Sequence, residues 1–526
     1  MVIENKEVEI VSNQPSLKRN VVLNYIYQIL IIIIPFITTP YLSRVLLDAE
    51  GTGSNIGIFS YTNSLVNFFI IFAALGTSAY GIREISKKRD NKKEYSKLFF
   101  EIELVSVITS FISLLLWVVL SLLYTEYRLY LFILSLNILA TCFDISWLYI
   151  GLEKFKYTIS INSIFRIISL ILIFVLIKSP SHLWIYFVIS SGSMLFGNLS
   201  MWLFLPKVIQ REKLDLINIK YHFKNSLKYF IPTIATTIYT VLDKTLIGLL
   251  IPGTITPDSN IKIADVESGF YEQAYKILSI VKTLSFMSIN GVMYSRVCNL
   301  YEKNEIEKIN TYRDKTFHLT LNLSIGAMFG LIATASLFVP LYFGEGYDKT
   351  ITLIMIMSVL IPIICISFTL GNIYYSPFGK RKQSSTYLII GAIINLALNI
   401  PLIILLKSIG AAIASIVAEL VISILYVLKS NKFFSLKELF LVSWKKILSG
   451  GIMFALVYLI RFLFETYLDS CLIISIIEIV TIVIAGVLSY ELVLLLLKDK
   501  SISITKELIS KVFSRNKKIT SDTTDE

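Results

Sequence analysis

The chain has 526 residues, of which 55% are hydrophobic and only 16% charged, and its net charge is +12. A mean hydropathy of +0.71 excludes a soluble globular domain as the bulk of the molecule. The basic excess suits nucleic acid or anionic lipid, and its placement along the chain favours lipid headgroups and excludes nucleic acid as a partner.

Fourteen apolar segments follow the polar N-terminus, at 21–43, 55–80, 98–123, 129–151, 158–177, 183–205, 226–251, 270–295, 317–343, 351–376, 385–406, 410–428, 444–464 and 471–497. Each approaches or exceeds the roughly 20 helical residues that cross a bilayer core of about 30 Å. The predicted fold is therefore all-α and integral to the membrane, with about fourteen transmembrane helices. Of the 49 Lys and Arg, 37 lie in or at the edge of the two tails and every second loop. The opposite loops hold only Arg44, Arg128, Lys178, Lys262, Lys349 and Lys407. Such alternation predicts both termini in the cytoplasm. A missed span would have scrambled the parity.

The tail at 1–20 is polar, and the apolar run after it exceeds a signal-peptide core, so the first helix is expected to stay uncleaved. Residues 206–225 mix Leu, Ile and Lys and predict a cytoplasmic amphipathic linker. On either side of it the chain repeats itself. GIFSYTNSL begins at Gly57 and GFYEQAYKI at Gly269, each ending near a base, Arg83 or Arg296. An even repeat of six spans gives two lobes of one orientation, related by an axis along the membrane normal. The expected lobes are 21–205 and 226–428, followed by an extra helix pair over 429–497 and a cytoplasmic tail over 498–526.

Several spans are too polar to face hydrocarbon all round. Asn24 and Gln28 lie in span 1 and Asn63 and Asn67 in span 2, while Glu272, Lys276 and Lys282 lie in span 8. Arg166 sits midway along span 5 and Lys244 on span 7. A charge at mid-bilayer is costly, so these side chains are expected to pair internally or to line a wet cavity. Glu272 precedes Lys276 by one helical turn, the favourable order for an ion pair, and Asp243 could neutralise a neighbour of Lys244. Arg166 has no acid in its own span and is expected to meet an acid, a carbonyl or an anionic ligand. Lys228 and Arg461 lie near span ends and can snorkel to the headgroups. Among the acids inside spans, Asp144 and Glu419 are candidates for proton or sodium coupling, with hydrogen-bonded helix packing as the plainer alternative.

Other chemistries lack their residues. No G-x-x-x-x-G-K-[ST] loop is present, so ATP hydrolysis is not expected. His182, His222 and His318 are scattered, the four Cys fall in or at the ends of different spans, and no metal site or cofactor is expected. The outer loops are too short to shield an active site, which favours transport over catalysis.

At these residues the chain resembles the polysaccharide flippases, the Wzx-type O-antigen and capsule repeat-unit family of the multidrug/oligosaccharidyl-lipid/polysaccharide exporter superfamily. The matching stretches are ALGTSAYGIREISKKRD from Ala74, DISWLYIGLEKF from Asp144, LDKTLIGLL from Leu242, GFYEQAYKI from Gly269, YFGEGY from Tyr342, PFGKRKQSSTYLIIGAIINLALNIPLI from Pro377 and GAAIASIVAELV from Gly410. The resemblance implies a cationic central cavity and an undecaprenyl-pyrophosphate-linked glycan moved from the cytoplasmic to the outer leaflet by alternating access. It also implies a polysaccharide polymerase and chain-length machinery as partners. Carried onto this chain, the cationic role falls to Lys244, Lys276, Lys282 and Arg166, with Arg44 and Arg83 at span ends. Asn24, Gln28, Asn63, Asn67 and Glu272 would line the cavity. A peptidoglycan lipid flippase, a cation-coupled drug exporter and a membrane polysaccharide polymerase are the alternative readings.

Overall fold

The computed structural model describes residues 17–212, 216–257, 259–467, 472–507 and 510, with side chains placed for all of these except 17–28, 155, 216–217, 231–233, 235–240 and 472. Among them the secondary structure is helical apart from one isolated bridge between Thr254 and Lys262. Among the described residues, twelve helical stretches are long and apolar enough to cross a membrane, and Ile29–Val45 adds a shorter one. The expected spans 1 and 7 fall on helices whose side chains are only partly described. The chain divides into two compact units, residues 1–245 and 246–526.

The N-terminal unit begins with α1 (Leu17–Val45), α2 (Ser54–Ala74), α3 (Thr77–Lys88), α4 (Lys92–Leu123) and α5 (Arg128–Cys142). It continues with α6 (Ser146–Gly151), α7 (Phe155–Leu176), α8 (Leu183–Trp202), α9 (Leu205–Val208) and the greater part of α10 (Leu216–Leu250). Helix α4 explains why these segments pack as they do. Phe111, Leu115, Val119 and Leu122 recur at helical spacing and are exposed, as a lipid-facing stripe requires. The opposite face carries buried Ser106, Thr109, Ser110 and Ser113. Thr109 and Ser113 donate to the carbonyls of Ala73 and Phe69 at 2.6 and 2.7 Å, so small hydroxyls join α4 to α2 where bulky side chains would hold the backbones apart. Two apolar clusters fill the interior, one around Tyr61, Trp117 and Phe187, the other around Phe99, Trp147 and Tyr149.

Span 2 is interrupted at Leu75 and Gly76, both in the left-handed region (φ 42° and 72°). A Cβ at Gly76 would collide with the backbone of α10 at Ser226 and Phe230, so only glycine permits this approach. The predicted linker helix is not separate. Nothing between Leu216 and Pro232 breaks a helix, and its second half continues directly into span 7 as α10.

The C-terminal unit holds α11 (Ile263–Lys282), a π turn over Thr283–Met287, α12 (Ser288–Glu302), α13 (Ile306–Phe343), α14 (Asp348–Ser358) and α15 (Leu360–Leu370). A second π turn over Gly371–Tyr375 precedes α16 (Arg381–Leu406), α17 (Ser408–Lys429), α18 (Leu436–Tyr467) and α19 (Leu472–Leu496). Buried Glu267 ties the starts of three helices, α11, α14 and α17, together. It accepts both Lys349 contacts, at 2.6 and 2.7 Å, and the Ser408 amide and hydroxyl.

Turns of similar geometry occur in both units. The offset of 212 residues between Gly57 and Gly269 sets the break at Leu75 opposite Met287, the end of the first π turn. After α6 and after the second π turn, Glu153 and Gly379 both adopt left-handed φ (58° and 70°). Just beyond them the Lys154 amide donates to Tyr149 at 2.8 Å, and the Lys380 amide to Tyr375 at 2.7 Å. The hydroxyls of those two tyrosines donate to the carbonyls of Met201 and Tyr426.

Candidate functional site

The predicted cations are divided between the units. In the N-terminal unit Arg166 is half-buried on α7 and lines a cavity of about 360 Å³ with Asn162, Ser169, Ser190, Ser193 and Asn198. That lining supplies donors and acceptors for water around a guanidinium. Arg44 and Arg83 are exposed; Arg44 donates to Pro40 O at 3.2 Å and Arg83 to the Tyr229 hydroxyl at 2.6 Å. Lys244 is half-buried on α10, between buried Asp243 and Thr245, and Thr245 meets Ser64 of α2 at 2.8 Å. Asn63 and Asn67 are half-buried on α2, with the Asn67 amide donating to Asn63 O. Asn24 and Gln28 fall outside the described side chains.

In the C-terminal unit Glu272 and Lys282 are buried and Lys276 half-buried on one helix, α11. The Lys282 ammonium lies 5.2 Å from the centroid of Tyr275 and directly precedes the first π turn. A π turn inserts an extra residue into the helix and rotates whatever follows it, a device common at functional sites. Glu419 is buried on α17.

A second cavity in this unit, of about 450 Å³, lies where the terminal pair packs on α13 and the α11–α12 junction. Its walls are mainly apolar, with Leu284, Leu323, Leu331, Val457, Val483 and Val487 among them. Tyr490, Asn322 and Glu491 form a polar rim. Tyr490 donates to Asn322 O at 3.0 Å, and the Asn322 amide to Glu491 at 3.2 Å. Its volume falls in the range of about 300–1,000 Å³ that accommodates small ligands.

Two buried polar clusters lie outside the residues singled out from sequence. Glu101 accepts from the His222 ring and from Asn218, each at 3.0 Å, and the other ring nitrogen of His222 meets the Tyr80 hydroxyl at 2.8 Å. Because the carboxylate can only accept, His222 Nε2 carries the proton and Nδ1 accepts from Tyr80. This network joins α10 to α3 and α4. Near the start of α13, Lys446 donates to both Asp499 oxygens at 3.0 and 3.1 Å, and to His318. Burial alone would push the Asp499 carboxyl up. The His318 ring, the Lys446 charge and the Ser501 amide outweigh it and hold the group well below the usual carboxylate range.

Asp144 occupies the break between α5 and α6 and accepts the Ser146 amide at 2.9 Å. Glu103 of α4 lies near it, buried, with the Trp147 indole beside it and no hydrogen bond of full geometry to either oxygen. Glu101 and Glu103 both fall within the expected span 98–123. An acid inside an apolar run is the same signal that singles out Asp144, so both were detectable.

Two broken-helix units with lipid-facing apolar stripes and polar interiors define a multi-pass membrane protein. The fold is shared with a lipid II flippase, MurJ, in an inward closed conformation, at TM-score 0.67 and 17% identity over 90% of this chain and 97% of that one. An inward-facing MATE family multidrug resistance transporter of the MOP superfamily matches at TM-score 0.56 and 13% identity, over 75% of this chain and 94% of that one. The family model for polysaccharide biosynthesis proteins matches residues 17–295, more than half of the chain, and the chain belongs to that family. A protein of Escherichia coli K12 described as an O-antigen transporter is 26% identical over 431 residues, covering 80% of this chain and 99% of its own. Its counterpart in Shigella dysenteriae is 25% identical over 427 residues, covering 79% and 100%. The family expected from the sequence motifs is the family found.

Proposed function

We propose that this protein is a flippase of bacterial surface polysaccharide synthesis. It carries polyprenyl-pyrophosphate-linked oligosaccharide repeat units from the cytoplasmic to the outer leaflet of the inner membrane by alternating access. The carrying observation is the set of cationic side chains held inside the apolar spans of a polysaccharide biosynthesis protein: Arg166, Lys244, Lys276 and Lys282. A pyrophosphate needs charge-assisted donors in a wet cleft. Arg44 and Arg83 guide it at the span ends, while Asn63, Asn67 and Glu272 meet the sugars, with Asn24 and Gln28 assigned the same role from sequence. The apolar cavity beside α18 and α19 suits the polyprenyl chain.

In this reading the two six-helix lobes rock against each other, the terminal pair stands outside the duplication, and both tails lie in the cytoplasm. A polymerase and chain-length machinery take the product at the outer face. No ATP is needed. Moving one charge through 100 mV is worth about 2.3 kcal/mol, so a substrate with two negative charges leaving an inside-negative cell gains about 4–5 kcal/mol. Asp144 or Glu419 would carry a coupling ion if one is used. The likeness to the lipid II flippase is one of fold and does not select a substrate, whereas the relatives matched by sequence over nearly their whole length are O-antigen transporters.

The test replaces Lys276 and Arg166 by Ala and by Glu in cells making the polymer, with membrane levels held equal. The charge-reversed variants are expected to lose most surface polysaccharide and to accumulate lipid-linked repeat units in the inner leaflet. Normal polymer from both Glu variants would overturn the cationic-site reading.

A further inference from the structure

Glu103 points from α4 into the interior of the N-terminal unit. It is 5% exposed, and both carboxylate oxygens are cut off from solvent with no hydrogen bond of full geometry. Glu101, two residues earlier and so about 200° around the same helix, shows the contrast, since His222, Asn218 and Lys97 all serve it. The groups around Glu103 can be named element by element. Helix α2 brings no charged residue to α4. Tyr80 of α3 and His222 of α10 face Glu101 instead. From α5, α6 and the break between them come Cys142, Asp144 and the Trp147 indole. Of these the Trp147 indole offers a donor, but neither carboxylate oxygen has a hydrogen bond of full geometry. An ionised carboxylate without well-placed donors or water is strongly disfavoured against its neutral acid. Asp144 differs in having one backbone donor, the Ser146 amide at 2.9 Å.

The second copy of the repeat indicates that packing alone does not require these acids. Aligning Tyr95 with Ile309, the first buried residues of α4 and α13, pairs Ser106 with Thr320 and Ser110 with Ser324. The same register sets Glu103 against Phe317, which stacks on Phe434 with ring centroids 3.9 Å apart. The matched turns at Glu153 and Gly379 set Asp144 against Leu370, which is wholly buried.

We propose that Glu103 and Asp144 hold one exchangeable proton between them, carried by Glu103, and that this pair is the proton-coupling site of the transporter. The coupling part rests on the transport reading above, whereas the proton part does not. Binding converts the Glu103 carboxylate to the acid and changes no other bond; release returns the proton to water. Asp144 sits in the non-helical joint of span 4, between Phe143 and Ile145. Loss of the proton sets two anions against each other across that joint and drives it open, and gain of the proton lets it close.

Infrared difference spectroscopy on the full-length protein in lipid at neutral pH tests the site without any transport assay. The carbonyl stretch of a protonated carboxylic acid, shifted in heavy water, is expected in the wild type, absent in E103Q and displaced in D144N. E103D keeps an acid at the position and should move the band without removing it, which decides the matter if E103Q fails to reach the membrane. A wild-type spectrum with no band sensitive to these changes overturns the proposal. In proteoliposomes carrying a lipid-linked oligosaccharide, one unit of imposed pH gradient should shift the wild-type distribution about tenfold and leave E103Q unmoved. An E103Q response equal to wild type, or a response to sodium and not to pH, overturns the coupling. If wild-type protein moves no lipid-linked oligosaccharide, the transport reading fails while the infrared result still judges the proton site.

Discussion

Single side chains in this protein are expensive in proportion to how completely they are buried with a partner. Lys446 is fully buried, and its ammonium is held by Asp499. Removing one member of a buried ion pair strands the other, at about 3–5 kcal/mol, so D499A should lower the detergent melting temperature far more than any surface Asp to Ala change. The pH dependence follows from the depressed Asp499 carboxyl. Its folded-state value lies below the unfolded one of about 3.9. The contribution is therefore fully present above that value and is lost as pH falls through the folded one. Acid titration of the melting temperature should show the wild type losing stability below about pH 4 and D499N losing less. The His222 network is smaller in scale. H222A removes one donor to Glu101 and one acceptor from Tyr80, and a cost of about 1–3 kcal/mol is expected in the same melting assay.

Helices here are held in register by small contacts at their breaks. The Leu75–Gly76 joint lets α3 change direction against α2 and brings α10 close to the joint. G76A adds both a left-handed strain of about 1 kcal/mol or more and a collision with the α10 backbone, which cannot withdraw as a side-chain tip can. Loss of folded yield and of thermal stability is expected, well beyond that of G291A on α12, where a Cβ would meet nothing within 4 Å. The same scale explains what was readable in advance. Span positions follow from runs of apolar residues, and α16 (Arg381–Leu406) and α17 (Ser408–Lys429) lie within a few residues of the expected 385–406 and 410–428. The extensions of α4 and α13 ahead of their expected spans, and the fusion of the linker with span 7, were not readable from hydropathy. A helix can continue past the bilayer for as long as its backbone finds no breaker and its side chains find partners, as Glu101 and His222 do.

For the whole molecule, the bias of Lys and Arg toward one set of loops predicts topology. In a background with Cys142, Cys298, Cys365 and Cys471 replaced, S181C should react with a membrane-impermeant thiol reagent added to intact cells. A cysteine at Asp90 should react only after the cells are opened. The reverse pattern would invert the proposed direction of transport. A two-charge substrate also makes flux sensitive to membrane potential, and collapsing the potential in proteoliposomes should remove the contribution of about 4–5 kcal/mol per 100 mV.

By itself the sequence determined that the chain lives in a membrane, roughly where it crosses, which loops carry its basic residues, and to which family it belongs. All four depend on patterns that repeat along the chain: apolar run length, alternation of basic loops, and motif order. Tertiary structure alone decided which polar residues inside those runs are served by partners and which are not. Glu101 and Glu103 stand two residues apart in one apolar segment, yet one meets a histidine, an asparagine and a lysine while the other has the Trp147 indole beside it and no hydrogen bond of full geometry. Successive residues on a helix face different neighbours about 100° apart, so the fate of each charge is fixed by what packs on its own side.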